Sequence, residues 1–175
     1  ILICMFSFFK TKEDKVIKLL QDLCELCKND DQVKNVIKYF YMILSKHKKN
    51  FDEKQFRNTD FKLFKEHWLA LNIQLFIGSL AKTGDFNLYN NVRKKFGLDN
   101  NKNKAALFIN SYYAPIYANI NSESAWGLLA EELLFQCFYI EKEIGLSDAF
   151  NEYHLEINNF IFEQHLNFKK YFDEL

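Results

Sequence analysis

The motif Glu-x-His occurs twice near the end of the chain, in the stretch EYHLEINNFIFEQH of residues 152–165. Carboxylate and imidazole groups are the ligands of metal sites in helical bundles, so the repeat suggests half of such a site. Bundle di-iron sites, however, space these ligands as Glu-x-x-His, which turns both inward. Here His154 and His165 point away from the glutamates and are three turns apart, about 16 Å. We therefore predict no metal site in this segment.

The glutamates of this segment belong to a larger concentration of negative charge. Residues 1–118 carry 20 lysines and arginines against 12 aspartates and glutamates, whereas residues 119–175 carry 3 against 11. The chain is neutral as a whole, but its last third is strongly acidic and can attract a basic partner over a distance. We predict that the partner-binding residues lie in this third, and they are Glu143, Glu152, Glu156 and Glu163.

Two further carboxylates fall inside apolar helical segments. Glu131 is surrounded by leucine and phenylalanine in the segment SAWGLLAEELLFQCFYIEKEIG, and Glu66 precedes His67 in another. A buried carboxylate needs a partner or a raised pKa, and such groups occur at catalytic sites. We expect both glutamates to be exposed or paired with a lysine of another helix. An enzyme or metal-dependent bundle that uses Glu66, His67, Glu131 and His154 is the alternative hypothesis.

The remaining motifs are too weak to indicate chemistry. Cys24 and Cys27 form a lone Cys-x-x-Cys pair inside a predicted helix, whereas structural zinc needs a second pair and a redox motif needs a preceding strand. We expect buried, reduced thiols. The sequence contains no glycine-rich nucleotide loop, no nucleophile elbow and no His-Glu-x-x-His motif. It therefore predicts no cofactor, no metal and no catalytic residue.

The composition predicts an all-α fold. The chain of 175 residues is 49% hydrophobic and 17% aromatic, but it has only 5 glycines and 1 proline. So few helix breakers imply long helices, and the enrichment in β-branched residues expected of strands is weak apart from scattered isoleucines. A chain of this length forms one domain with a substantial core. We predict a single compact, bundle-like domain of six to eight helices over residues 1–175, with a short α-solenoid as the runner-up.

Capping residues and apolar periodicity place the helices along the chain. The predicted helices cover about 12–28, 31–48, 60–82, 85–97, 102–113, 122–145 and 147 to near the end, with a short turn at 52–57. The polar stretch LDNNKNK at 98–104 should be a loop or flexible tip, and Pro115 should end or kink the fifth helix near Tyr113. The helices at 60–82 and 122–145 should be central. The last helix is apolar on two sides, so we expect it to be packed on both.

The first ten residues, ILICMFSFFK, are apolar up to the final lysine. They are too short to span a bilayer and lack both the basic start and the cleavage site of a signal peptide. We expect residues 1–10 to form an apolar N-terminal arm that packs on the domain. With no other apolar run of membrane-spanning length, the sequence predicts a cytoplasmic protein without a membrane partner. The abundance of lysine, asparagine and isoleucine is typical of a low-GC bacterial genome.

These absences favour a protein that acts by surface complementarity. A neutral net charge argues against a dedicated nucleic-acid binder, whose backbone contacts require a basic surplus. Our leading hypothesis is a non-enzymatic helical protein of the immunity or antitoxin type, which binds and occludes a basic partner protein such as a toxin. Besides the enzyme, a second alternative is a carrier of lipid or another apolar ligand, because 19 phenylalanines could line a pocket. The oligomeric state stays open.

Overall fold

The structure is a computed structural model and describes residues 31–46, 61–120, 126–137 and 148–175. All regular elements in these ranges are helical, which confirms the all-α prediction for them. In chain order they are α1 (Asp31–Lys46), α2 (Phe61–Ala81), α3 (Phe86–Lys95), α4 (Lys104–Phe108), a π-helical turn (Ile109–Tyr113), α5 (Ala114–Ala118), α6 (Trp126–Cys137) and α7 (Asp148–Asp173). None of these helices is both long and apolar enough to cross a membrane.

Several predicted features lie outside the described residues. They are the N-terminal arm at 1–10, the helix at 12–28 with Cys24 and Cys27, the turn at 52–57 and Glu143.

Helix α2 lies at the centre of the fold because it is apolar on all its sides. Its predicted bounds, 60–82, agree with the observed Phe61–Ala81 to within one residue at each end. Every residue from 66 to 80 is buried. A helix without an exposed side has to be enclosed by other elements, and α3, α4, α6 and α7 all contact it. The prediction that this helix is central is confirmed.

The contact between α2 and α7 is built from two pairs of aromatic rings. The ring centroids of Trp68 and Phe160 are 4.6 Å apart, and those of Phe76 and Phe168 are 5.0 Å apart. Because the second pair lies further along both helices than the first, α2 and α7 run in the same sense through this contact. The Phe40 ring of α1 lies 5.1 Å from the Phe76 ring and joins the cluster. These phenylalanines fill the core by touching one another.

Helix α1 contacts the far end of the chain. The Tyr39 and Tyr171 rings are stacked with their centroids 3.6 Å apart, and the Tyr39 hydroxyl donates to the carbonyl oxygen of Asn167. The repeats of a solenoid contact only their neighbours along the sequence. A contact between the first and the last described helices therefore excludes the α-solenoid and supports the bundle-like arrangement.

The predicted loop at 98–104 is held in place by one buried side chain. Asn103 is 8% exposed, and its amide oxygen accepts a hydrogen bond from the N–H of Ala105. Its amide nitrogen donates to the carbonyl oxygens of Phe96 and Gly97, each at 3.0 Å. Asn103 thus caps α4 and ties it to the end of α3. The segment is a defined turn and not the flexible tip that its polarity suggested.

The chain stays helical through Pro115, although the proline was expected to end or kink the helix near Tyr113. In the π-helical turn before it, the N–H of Ala114 donates to the carbonyl oxygen of Ile109, five residues back. Pro115 then lies in the first turn of α5, where a helix needs no N–H donor. The break predicted near Tyr113 therefore takes the form of a wider turn inside a continuous helical segment.

Helices α6 and α7 form an antiparallel pair. Glu131, in the second half of α6, lies beside His154, early in α7. Trp126, the first residue of α6, has its ring centroid 4.3 Å from that of His165, late in α7. The predicted start of α7 at 147–148 is confirmed. Leu128 of α6 is 51% exposed, so α6 is not buried on all its sides as expected. It lies at the side of the core, and α2 is the central helix.

Two amide side chains lie between the aromatic pairs that join α2 and α7. Asn72 and Gln164 each come one turn after the first aromatic residue of their helix and one turn before the second, and both are 0% exposed. Asn72 donates to the carbonyl oxygen of Trp68. The Asn72 amide oxygen and both polar atoms of the Gln164 amide have no hydrogen-bond partner among the described residues. A buried polar atom without a partner costs about 1–3 kcal/mol. These two amides therefore weaken the contact between α2 and α7.

Replacing Gln164 with methionine should raise the free energy of unfolding by about 1 kcal/mol, because methionine fills nearly the same space without an amide that must be desolvated. Urea unfolding measures the difference. Gln136→Met is the matched control: the Gln136 amide donates to Glu132 at 2.8 Å, so its loss should bring no gain. A Gln164→Met variant less stable than the parent would show that the buried amide is satisfied in solution.

Candidate functional site

Helix α7 places two of the predicted partner-binding glutamates on one exposed surface. Glu156 and Glu163 are both exposed. Being two turns apart, they lie on the same side of the helix, about 10 Å from each other along its axis. Glu152 belongs to the same helix, but its side chain is outside the described part of the structure, as is the whole of Glu143. Of the four predicted partner-binding glutamates, the structure therefore describes the side chains of Glu156 and Glu163.

An apolar stripe runs beside these carboxylates. Leu155 is 61% and Leu166 46% exposed, and the half-buried Phe162 lies between them with its ring 6.3 Å from that of Trp126. Among the described helices, α1, α2 and α6 cover the wider apolar side of α7, and α6 also contacts Phe162 on the narrower side. The expectation that α7 is packed on two sides is therefore wrong for Leu155 and Leu166, which are exposed. Exposed apolar side chains that share one side of a helix form a candidate interaction site, here with the exposed Asn159 in the turn between Leu155 and Phe162.

Helix α6 forms the other border of the stripe. Glu131 Oε1 lies 3.9 Å from His154 Nε2, and the same nitrogen lies 3.2 Å from the carbonyl oxygen of Gly127, to which a protonated Nε2 donates. The Glu131 side chain is 46% exposed. Glu131 was expected to be exposed or paired with a lysine. It is partly exposed and lies beside a histidine. Leu128, one turn earlier in α6, is exposed as well.

The exposed apolar stripe is therefore bordered by carboxylates on both sides. Together these residues form one surface, termed the α6–α7 face, which consists of Leu128, Glu131, Leu155, Glu156, Phe162, Glu163 and Leu166.

Sequence reasoning identified the apolar part of this face on α7 but assigned it to a packed side of the helix. On a helical wheel, Leu155, Phe162 and Leu166 form a second apolar side, separate from the wider one. A helix at the edge of a bundle buries one side only, so a narrow second stripe beside acidic residues indicates an exposed contact surface. Leu128 had no such signal, because the sequence of α6 is apolar on nearly all sides.

Glu66 is buried and paired with Lys104. Its side chain is 5% exposed, and its Oε2 lies 3.2 Å from the lysine Nζ, which belongs to the first residue of α4. The expectation of a lysine partner on another helix is confirmed. The ammonium group neutralises the carboxylate at the edge of the core, which accounts for the burial of Glu66 without a catalytic role.

His67 joins α2 to the π-helical turn. Its Nδ1 lies 2.7 Å from the Tyr113 hydroxyl, and its ring stacks on that of Phe108 with the centroids 3.9 Å apart. His67 is 2% exposed, and burial lowers its pKa to about 4. Burial also raises the pKa of Tyr113 well above its usual range. Both groups are neutral at pH 7, and the hydroxyl can donate to an unprotonated Nδ1.

A second buried histidine, His165, joins α7 to α2. Its Nδ1 lies 3.3 Å from the hydroxyl oxygen of Ser79, and the residue is 7% exposed. Burial lowers the pKa of His165 to about 4, with smaller contributions from the positive charges of Lys82 and Lys169. His154, in contrast, is partly exposed.

The four residues of the enzyme hypothesis do not form one site. Glu66 and His67 have their partners on α4 and in the π-helical turn, whereas Glu131 and His154 lie together between α6 and α7. In the part of the chain that the structure describes, no group of three histidine, cysteine, aspartate or glutamate residues could hold a metal ion. The arrangement offers separate structural contacts and no shared reaction centre among these four residues.

Lowering the pH should destabilise the protein through His67 and His165. In the folded state both stay neutral down to a pKa of about 4, whereas in the unfolded chain they bind protons below about pH 6.5. Because the unfolded state then binds more protons, stability falls as the pH drops from about 6.5 toward 4. The expected loss is about 1.4 kcal/mol per pH unit for each histidine, measured by urea unfolding.

The double variant His67→Asn, His165→Asn tests the origin of this loss, since the asparagine amide reaches the place of Nδ1 without titrating. It should be less stable than the parent at pH 7 but should lose most of the pH dependence. His154→Gln is the control, and it should keep the dependence because both buried histidines remain. Full pH dependence in the double variant would assign the effect to other groups.

No protein-family model matches the chain, and neither the curated proteins nor the solved structures compared with it give a significant match. The geometry of the α6–α7 face is therefore the main guide to function.

Proposed function

We propose that this chain is a non-enzymatic domain that binds and occludes a basic partner protein, in the manner of immunity and antitoxin proteins, and that the α6–α7 face is its contact surface. The observation that carries the proposal is a stripe of exposed apolar side chains with carboxylates on both borders. Leu155 and Leu166 are exposed along α7, with Glu156 and Glu163 on one border and Glu131 on the other.

The apolar and the acidic parts of the face have different roles in such a complex. Burial of the leucines contributes about 25 cal/mol for each Å² of apolar surface removed from water, and this slows dissociation. The carboxylates attract a positive surface before contact and so raise the association rate, an effect that salt screens. The concentration of acidic residues after residue 118 extends this attraction beyond the face.

The buried titratable groups support this proposal over the enzyme alternative. The Nδ1 atoms of His67 and His165 have hydrogen-bond partners in Tyr113 and Ser79. Glu66, the most buried carboxylate of the enzyme hypothesis, is neutralised by a lysine of α4. Each of these groups therefore has a role in joining helices that accounts for its burial without a substrate.

Reversing two charges on the border of the stripe should weaken binding. The variant Glu156→Lys, Glu163→Lys places cations where those of the partner approach, so the association rate should fall about 10-fold or more at low salt. The difference should shrink as salt is added. Tagged parent and variant chains are expressed in the host to capture the partner, and mass spectrometry identifies it. Stopped-flow mixing of each chain with the purified partner then measures the association rate.

Asp31→Lys, Asp99→Lys is the matched control. Both residues are exposed and belong to α1 and to the turn after α3, not to α6 or α7, and this variant changes the net charge by the same amount. The control variant should bind the same partner as the parent does, with the same association rate. The proposal fails if the partner is not basic, if reversal of Glu156 and Glu163 leaves the rate unchanged, or if the control is equally impaired.

A further inference from the structure

We infer that the α6–α7 face accepts an amphipathic helix of the partner, with apolar residues on one side of that helix and lysine or arginine on both flanks of that side. This inference rests on the proposed function and names the element of the partner that makes the contact. The shape, the length and the charges of the face carry it.

The shape of the face favours a helix over an extended strand. Leu128 of α6 and Leu155 of α7 are both exposed, and the His154 ring packs against Gly127 directly beside them. The backbone N–H and C=O groups inside α6 and α7 are used within each helix, so these elements offer no sheet edge to which a strand could add. The groove between two packed helices accepts a third at the usual interaxial distance of about 8–10 Å.

The stripe along α7 is long enough for three turns of a partner helix. Leu155 and Leu166 are three turns apart, about 16 Å at 1.5 Å per residue. Phe162 lies between them, half-buried against Trp126, and forms the floor of the stripe. A helix that covers both leucines therefore needs apolar residues at about i, i+4, i+7 and i+11.

The carboxylates determine where the cations of the partner lie. Glu131 stands on the α6 border of the stripe, and Glu156 and Glu163 stand on the opposite border. A helix that lies along the stripe turns one flank to each border. Lysine or arginine on both flanks is therefore attracted, whereas acidic flanks are repelled.

A second copy of this chain fits the face less well. Among the described helices, α3 has the most basic last turn, with Arg93, Lys94 and Lys95, whereas the last turn of α7 contains Lys170. Helix α3 spans 10 residues, and Phe86 is its one exposed large apolar side chain. It cannot cover both Leu155 and Leu166 with apolar residues. Because this chain is neutral overall and the proposed partner is basic, we commit to a helix from a different protein.

The test uses the purified chain and three synthetic 18-residue peptides. The first has leucines at helical spacing with lysines on both flanks, the second has glutamate in place of each lysine, and the third alternates leucine and lysine with the period of a strand. Fluorescence anisotropy gives each Kd, and amide chemical shifts locate the contact. We expect the first peptide to bind at the α6–α7 face about 10-fold more tightly than either other peptide. Equal binding of the alternating peptide would overturn the inference.

Variants separate the apolar from the charged contribution. Leu155→Ser, Leu166→Ser should weaken binding of the first peptide about 10-fold or more at both low and high salt, because hydrophobic burial is not screened. Leu107→Ser, Leu175→Ser is the matched control, since both leucines are exposed away from the face, and it should bind as the parent does. Circular dichroism checks that each variant is folded. Parent-like binding by the first variant would contradict the inference.

The outcomes distinguish this inference from the proposed function. If the captured basic partner still binds Leu155→Ser, Leu166→Ser but not the charge-reversal variant, the helix inference fails and the proposed function stands. If the first peptide binds at the face while charge reversal leaves the rate of the partner unchanged, the proposed function fails and a helix-binding site remains. Concentration-dependent dimerisation that the leucine variant abolishes would replace the foreign helix with a second copy.

Discussion

The burial of α2 on all its sides is the constraint on which the rest of the fold depends. A helix of 21 residues that is buried continuously from 66 to 80 must be enclosed, and the neighbouring helices take their positions around it. Trp68 and Phe76 direct the wider apolar side of α7 inward. Because α2 and its neighbours cover only that side, the narrower stripe of α7 is left outside. The candidate binding surface is thus a geometric result of how the core is enclosed.

The polar residues of α2 select one arrangement among those that would bury its apolar surface. Glu66 contacts a lysine at the start of α4, His67 contacts a tyrosine in the π-helical turn, and Ser79 contacts a histidine of α7. Each contact satisfies a group that would be costly to bury alone. Three different elements are therefore assigned to three positions around the same helix. The same groups make the fold sensitive to acid, since the two histidines must remain neutral inside it.

Local features of the sequence were sufficient to predict where the helices lie along the chain. They were insufficient to predict which side chains of each helix are buried and what those side chains contact. The bounds of α2 and the start of α7 could be predicted because caps and apolar periodicity act within a few residues. The spacing of Glu156 and Glu163 predicted that they lie on the same side of α7. Whether that side is exposed depends on where α2 and α6 lie. The burial of His165 depends likewise on Ser79, far away in the sequence. Contacts between distant helices are not encoded in local spacing, so the exposure of the apolar stripe and the partners of the buried histidines emerged only from the three-dimensional arrangement.

The π-helical turn makes the length of its segment as important as its composition. A π-helical turn holds one more residue than an α-helical turn, which rotates the two flanking pieces relative to each other by about 100°. That rotation directs Tyr113 to His67 while Pro115 stays in the first turn of α5. The same residues in an unbroken α-helix would aim the Tyr113 side chain away from His67. Natural selection on this segment should therefore tolerate substitutions at the exposed Ser111 far more readily than a further inserted residue, which would rotate Tyr113 away from His67.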